Sequence, residues 1–112
     1  MCTKSQLEAI EEEMVNYYRS VYGDSIDTII LYGSYARGDY SDDSDIDITA
    51  IVRGNRVELQ KKLKKMWDFS TEVGLAYDVI VSPTVIPYDR IEQYKEKLPY
   101  YRNIVKEGRK IG

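Results

Sequence analysis

GSYARGDYSDDSDID, residues 33–47, follows directly on the apolar run TIILY at residues 28–32. The segment carries two glycines, three serines and five aspartates in fifteen positions. Gly and Ser behind a β-branched run predict a tight turn at the end of a buried strand. Isoleucines at 46 and 48 predict that a second strand begins at the last two aspartates. Negative charge is therefore concentrated where two predicted strands meet.

Asp45 and Asp47 form the chemical centre of this segment. Residues i and i+2 of a strand project from the same face, so the two carboxylates lie side by side, while Ile46 and Ile48 point into the core. A divalent cation relieves their repulsion, and two cations about 3.5 to 4 Å apart serve in-line displacement at phosphorus. Because carboxylate oxygens suit Mg²⁺, the pattern predicts a site for two magnesium ions.

The turn before these aspartates has the residues of a phosphate site. The backbone N–H groups of Gly33 and Ser34, with the serine hydroxyl, can hold the terminal phosphates of a nucleotide, and Arg37 adds a cation. Taken singly, Gly, Ser and Asp are ordinary turn residues. The combination of a strand, Gly-Ser and Asp-x-Asp favours a catalytic function.

Two other motifs do not fit this stretch. A phosphate-binding P-loop would need Lys and then Ser or Thr where the chain has Asp39 and Tyr40. A calcium loop beginning at Asp43 would need its turn glycine at Ile48 and its bidentate glutamate at Gly54. The Asp-x-Asp interpretation is the one that assigns a task to each residue.

Composition further limits the kinds of catalytic and metal site that the chain can form. The chain has 112 residues, which predicts a single domain over residues 1–112. It has no histidine and one cysteine, Cys2, which excludes histidine bases, Ser-His-Asp sites and zinc sites built on histidine or clustered thiolates. Carboxylate, hydroxyl and hard-metal chemistry remains.

Charge and hydropathy indicate the compartment and the partners. The net charge of −3 and a pI near 5.0 argue against nucleic acid as the main partner and favour small ligands or proteins. No run approaches the length of a membrane span, and the first residues, MCTKSQLEAIEEE, turn acidic where a signal peptide turns apolar. We expect a cytoplasmic protein.

Apolar periodicity and turn residues predict the remaining elements. The expected order is helix 5–22 stopped by Gly23, strand 27–32, strand 45–53, a helix opened by Asn55, strand 75–82, and helices 89–97 and 99–107, with Pro83 and Pro87 bracketing a loop. The predicted fold class is α/β (α+β), a small mixed β-sheet of about three strands packed with helices.

GSYARGDYSDDSDIDI resembles the signature of the DNA polymerase β nucleotidyltransferase superfamily, in which Gly-Ser is followed by a variable connection and Asp-x-Asp. The spacing, the Ala-Arg-Gly after Ser34, and Ser44 before the first aspartate are most similar to the minimal nucleotidyltransferases, short proteins often paired with HEPN-type toxins. The C-terminal PYYRNIVKEG resembles their closing helix. The resemblance implies the nucleotidyltransferase fold and adds Ser44 to the nucleotide-binding residues.

The superfamily places a third carboxylate on a later strand, and Asp78 in LAYDVIVS is the residue at that position. The resemblance implies that Asp45, Asp47 and Asp78 bind the metals and that Asp78 also acts as general base. Taken alone, an acid in an apolar strand also fits an edge strand protected from aggregation. Three further acids match no position of the motif and are expected to be solvated: Asp39, Asp42 and Asp43.

The reaction implied is transfer of AMP from ATP to an acceptor hydroxyl, with release of pyrophosphate. The resemblance suggests that the acceptor is a tyrosine of a partner HEPN toxin and that this chain is the antitoxin. Two alternatives stay open. One is a small-molecule acceptor such as an aminoglycoside, whose pocket a homodimer would have to form; the other is a non-catalytic module that neutralises its partner by contact.

Overall fold

The computed structural model describes residues 3–112, so Cys2 lies outside the described residues. The elements along the chain are α1 (Lys4–Tyr22), a 3₁₀ turn (Gly23–Ser25), β1 (Ile26–Tyr32), α2 (Ser34–Arg37), β2 (Ile46–Val52), α3 (Arg56–Tyr77), β3 (Val81–Pro87), α4 (Tyr88–Tyr94), α5 (Pro99–Glu107) and β4 (Arg109–Lys110). None of the helices in this described part combines the length and apolarity needed to cross a membrane.

The four strands form one mixed sheet in the order β3-β2-β1-β4. β1 pairs antiparallel with β2 and β4, and β2 pairs parallel with β3. The mixed sheet predicted from the sequence is confirmed. Its fourth strand, β4, was not predicted, because a two-residue strand has no periodicity to detect.

The two faces of the sheet pack against different helices. Alternate residues of β1 and β2 face α1 and α3, among them Ile29, Leu31, Ile46 and Ile48. The opposite face carries Ile30, Ile51 and Ile86, which pack with Ile91 of α4 and Ile104 of α5. Because side chains alternate along a strand, Asp47 shares the face of Ile51 and lies on the side covered by α4 and α5.

Helix α1 begins and ends at residues that cap it. The Thr3 hydroxyl accepts the Gln6 backbone N–H at 3.1 Å, and the Gln6 side chain accepts the Thr3 N–H at 2.9 Å, which forms a capping box. Gly23 ends the helix with φ 61°. The predicted helix 5–22 is thus confirmed, with one further residue at its start.

Helix α3 also begins as its sequence predicts. The Asn55 side chain accepts the backbone N–H groups of Val57 and Glu58, at 2.9 and 3.4 Å. The helix then presents a buried stripe at helical spacing: Leu59, Leu63, Met66, Ser70, Val73 and Gly74.

The predicted strand 75–82 is wrong over most of its length. The buried stripe of α3 continues through Val73, so the helix extends to Tyr77, and Asp78 ends it in the left-handed conformation, with φ 55° and ψ 49°. β3 begins at Val81 and contains both Pro83 and Pro87, which were expected to bracket a loop. An edge strand tolerates proline because one side of its backbone needs no sheet partner.

Candidate active site

The turn after β1 brings the backbone of Gly33 against the Asp47 carboxylate. Gly33 has φ 75° and ψ −156°, a conformation that glycine alone adopts readily. A Cβ at this position would lie 2.5 Å from Oδ2 of Asp47. The missing side chain therefore lets the turn and the carboxylate lie together, which is the arrangement that a phosphate site next to a metal site needs.

The single turn of α2 is fixed at both ends. The Ser34 carbonyl accepts the N–H groups of Gly38 and Asp39, at 2.9 and 3.2 Å. Tyr35 is buried, and its ring stacks on that of Tyr40 with centroids 4.2 Å apart. The turn predicted here from the sequence is a single turn of helix, held in place by the packing of Tyr35.

Asp45 and Asp47 lie at the start of β2 and differ in burial. Asp45 directly precedes the strand and is exposed, whereas Asp47, the second strand residue, is half-buried. Burial, and then the charge of Asp45, raise the pKa of Asp47 above its usual value, while Arg37 lowers it. A cation beside Asp47 would therefore favour its charged form.

Arg37 lies close enough to Asp47 to affect it, but its own ion pairs are with other acids. Its Nε lies 3.3 Å from Asp39, and its Nη1 lies 3.6 Å from Glu107 at the end of α5. All three side chains are substantially exposed, and exposed pairs contribute little to stability. The guanidinium can therefore exchange these partners for a phosphate at small cost. Asp39, expected to be solvated, is 63% exposed although paired.

The loop before β2 is held by serines. The Ser44 hydroxyl accepts the Ser41 N–H at 2.9 Å, and the Ser44 N–H donates to the Ser41 carbonyl at 3.1 Å. Asp42 and Asp43, expected to be solvated, are exposed. Ser44 therefore has a structural task in the turn that delivers Asp45, and its assignment to the nucleotide stays a prediction.

The sequence placed Asp78 on a strand, whereas the structure places it at the end of helix α3. As the residue that caps α3 directly after Tyr77 it is exposed, and it lines a cavity of about 720 Å³ together with Asp45 and Trp67. Asp47 is not in that lining. Among residues 3–112 no group of three acidic side chains lies close enough to hold one ion. The structure thus brings Asp45 and Asp47 together, whereas Asp78 shares a cavity with Asp45 that Asp47 does not line.

Three residues near Asp47 were not predicted from the sequence as members of the site. In the sheet, Tyr32 of β1 pairs with Asp47 on one side and Ser82 of β3 pairs with it on the other. Tyr100 of α5 lies above this row, with its hydroxyl 3.4 Å from that of Tyr32. Burial and the Tyr32 hydroxyl raise the pKa of Tyr100, and the Asp47 charge adds to that rise. Only tertiary packing brings α5 to this place, so no local signal could have identified Tyr100.

The residues present suit magnesium. The two carboxylates supply hard oxygen ligands, the charged form of Asp47 gains from a nearby cation, and the space that a Gly33 side chain would fill lies directly beside Oδ2 of Asp47. Mg²⁺ needs only one or two protein carboxylates when substrate phosphates and water supply the other ligands. The donor set therefore fits a divalent cation that arrives with a nucleotide.

Two solved structures are similar to this chain in fold. One is a chain of a toxin–antitoxin complex with AMP-PNP, with a TM-score of 0.54 and 17% identity over 90% of this chain and 72% of that one. The other comes from a complex of a tri-AMPylated Shewanella oneidensis HEPN toxin with its MNT antitoxin, with a TM-score of 0.52 and 16% identity over 94% of this chain and 71% of that one.

Sequence comparison identifies the family directly. A protein of Methanocaldococcus jannaschii named as a candidate protein adenylyltransferase, MJ0604, is 36% identical over 98 residues, which is 88% of this chain and 90% of that protein. The family model for the nucleotidyltransferase domain matches residues 8–111. With Gly-Ser and Asp-x-Asp brought together as the geometry above describes, the chain belongs to the nucleotidyltransferase domain family.

Proposed function

We propose that this protein is a Mg²⁺-dependent protein adenylyltransferase that moves AMP from ATP to a tyrosine hydroxyl of a partner HEPN toxin and so acts as its antitoxin. The observation that carries the proposal is the contact between the Gly33 turn and Asp47, with Asp45 beside it. The adenylyltransferase name of the M. jannaschii relative and the AMPylated toxin in the Shewanella oneidensis complex support the choice of reaction and acceptor.

In the proposed reaction, separate groups of residues bind the ATP phosphates and the cation. The turn at Gly33 and Ser34 takes the ATP phosphates, and Arg37 leaves its exposed ion pairs to contact them. Asp45 and Asp47 would hold the divalent cation, which supplies charge stabilisation to the phosphates when bound. The acceptor oxygen forms a bond to the α-phosphorus, the bond from that phosphorus to the bridging oxygen breaks, and pyrophosphate leaves. We place the reaction in the cytoplasm, where ATP is abundant.

Asp78 is proposed as the general base that the family resemblance implies. Its exposed carboxylate shares the 720 Å³ cavity with Asp45, so an acceptor hydroxyl entering through that cavity would pass between the two acids. Asp78→Asn should lower the rate of AMP transfer by about 10²-fold or more.

Asp78→Asn should affect the transfer step alone, because it leaves the fold and the ATP-binding residues unchanged. ATP affinity measured by calorimetry should be unchanged, since the Gly33 turn and the Asp45–Asp47 pair are intact. The melting temperature should hold as well, because asparagine accepts the left-handed conformation of this position. A full transfer rate in the variant would remove Asp78 from the mechanism, and Ser82, which pairs with Asp47 in the sheet, would be the next residue to test.

The same cavity favours a second acceptor class. Four aspartates line it, namely Asp42, Asp43, Asp45 and Asp78, together with hydroxyl residues and the single tryptophan, Trp67. An acidic cavity of this size suits a cationic molecule rich in hydroxyl groups, such as an aminoglycoside. Transfer of AMP to such a compound in a purified assay, with no transfer to protein tyrosines, would favour this class.

Co-expression with a HEPN-type toxin, identified by sequencing the genes that flank the one for this chain, tests the proposed function. We expect the partner to gain mass in whole AMP groups on its tyrosines and the cells to survive the partner's expression. Both effects should be lost with Asp47→Asn, which removes one charge and keeps the shape of the side chain. Survival with Asp47→Asn, without any mass change of the partner, would instead assign the chain to the non-catalytic binding modules.

A further inference from the structure

Two tyrosine hydroxyls lie on the sheet face that carries Asp47. Tyr32 is the sheet partner of Asp47, so the two side chains leave adjacent strands on the same face. The Tyr100 ring meets that of Tyr32 edge to face, with centroids 6.4 Å apart and planes at 87°. The hydroxyl oxygens of the two residues lie 3.4 Å apart. The Tyr100 hydroxyl therefore lies on the sheet face that carries Asp47, near enough for the Asp47 charge to affect it.

Tyr100 is also accessible to solvent at the start of α5. The residue is 51% exposed and is the second residue of α5, directly after Pro99. Its hydrogen bond to Tyr32 is long at 3.4 Å, so a bound nucleotide could replace it at small cost. A half-exposed phenol thus lies on the same face of the sheet as Asp47, with a hydroxyl that is only weakly held.

Three other tyrosines of the chain use their hydroxyls in hydrogen bonds away from the carboxylates. The hydroxyls of Tyr18 and Tyr22 donate to backbone carbonyls inside the core, to Thr84 and Leu59 respectively. The Tyr101 hydroxyl accepts from Arg90 at 2.9 Å. These contacts hold their hydroxyls away from the carboxylates, whereas Tyr100 combines exposure with proximity to Asp47.

We propose that Tyr100 is a self-acceptor, a tyrosine that the protein adenylylates within its own chain. The inference rests on the proposed function, because it uses the same transfer to a phenol. The Tyr100 oxygen forms a bond to the α-phosphorus of ATP, the bond between that phosphorus and the bridging oxygen breaks, pyrophosphate leaves, and the phenolic proton goes to water. The product is Tyr100 carrying AMP through a phosphodiester.

The test is incubation of the purified full chain with Mg²⁺ and ATP, followed by intact mass and peptide sequencing. Trypsin releases Leu98–Arg102, LPYYR, so fragment ions must separate Tyr100 from its neighbour. We expect one added AMP on Tyr100, a first-order rate independent of protein concentration, and loss of the label to background in Tyr100→Phe. Tyr101→Phe is the matched control and should keep the label.

The outcomes separate this inference from the function on which it rests. Label on another residue, or labelling of Tyr100 whose rate rises with protein concentration, would overturn the self-acceptor assignment. AMP transfer to the partner protein with Tyr100 unlabelled would overturn the assignment and leave the proposed function standing. Absence of transfer to both would overturn both. Equal melting temperatures of wild type and Tyr100→Phe establish that lost label reflects the missing hydroxyl.

Discussion

Asp47→Asn is expected to lower the rate of AMP transfer by about 10³-fold or more, the largest effect of any single substitution in this chain. The amide keeps the shape of the side chain and its contact with the Gly33 turn, but it removes one of the two charges that hold the cation. Asp45→Asn should act in the same way. The measurement is pyrophosphate release with saturating ATP and acceptor, together with Mg²⁺ binding by calorimetry.

The same substitution should make the metal-free protein more stable. The raised pKa of Asp47 means that its charged form is less favourable in the folded state than in the unfolded one. That cost is present above the folded pKa and disappears as the pH falls below the unfolded value near 3.8. At pH 7 in chelator we therefore expect Asp47→Asn to melt at a higher temperature than wild type, and the difference should vanish at a pH below that value.

A matched control is available on the surface of α3. Asp68→Asn makes the same change of charge at an exposed residue that pairs with Lys64 at 3.4 Å, one helical turn away. It should change neither transfer nor Mg²⁺ binding. Near-normal transfer in both Asp45→Asn and Asp47→Asn would contradict the assignment of these carboxylates to the metal.

Local patterns predicted the elements that carry the site. Helix 5–22, the strands on either side of the Gly-Ser turn and the start of α3 at Asn55 all follow from apolar spacing and capping residues, and the structure places them within one or two residues. Asp45 and Asp47 could be identified because their separation along the chain is also their separation in space.

The remaining features depend on tertiary packing. LAYDVIVS is apolar and β-branched enough to predict a strand, but the core contacts of Val73 and Gly74 keep the chain helical as far as Tyr77. Because the helix extends this far, Asp78 caps the end of α3 and does not lie on a strand. Tyr100 lies 53 residues after Asp47 and reaches it because α5 packs on the sheet through Ile104. No pattern within either segment specifies that contact.

Gly33→Ala is expected to lower both ATP affinity and the rate of transfer by about 10²-fold, since displacements near 1 Å in a site can have effects of this size. The alanine Cβ would lie 2.5 Å from Oδ2 of Asp47, so the carboxylate or the turn must move. The backbone, at φ 75° and ψ −156°, adds a strain of about 1 to 3 kcal/mol. Calorimetry with ATP and the transfer assay measure the two losses.

Gly38→Ala separates the two causes, because Gly38 also has a positive φ, 86°, at the other end of α2, but no atom lies within 4 Å of a Cβ built there. Its left-handed conformation costs alanine about 1 kcal/mol, so this variant should melt about 4 to 8 °C lower than wild type and keep its ATP affinity. Equal ATP affinities in the two variants would mean that the Gly33 turn serves folding alone. A loss confined to Gly33→Ala would mean that the absent side chain leaves room for the phosphates and the metal beside Asp47.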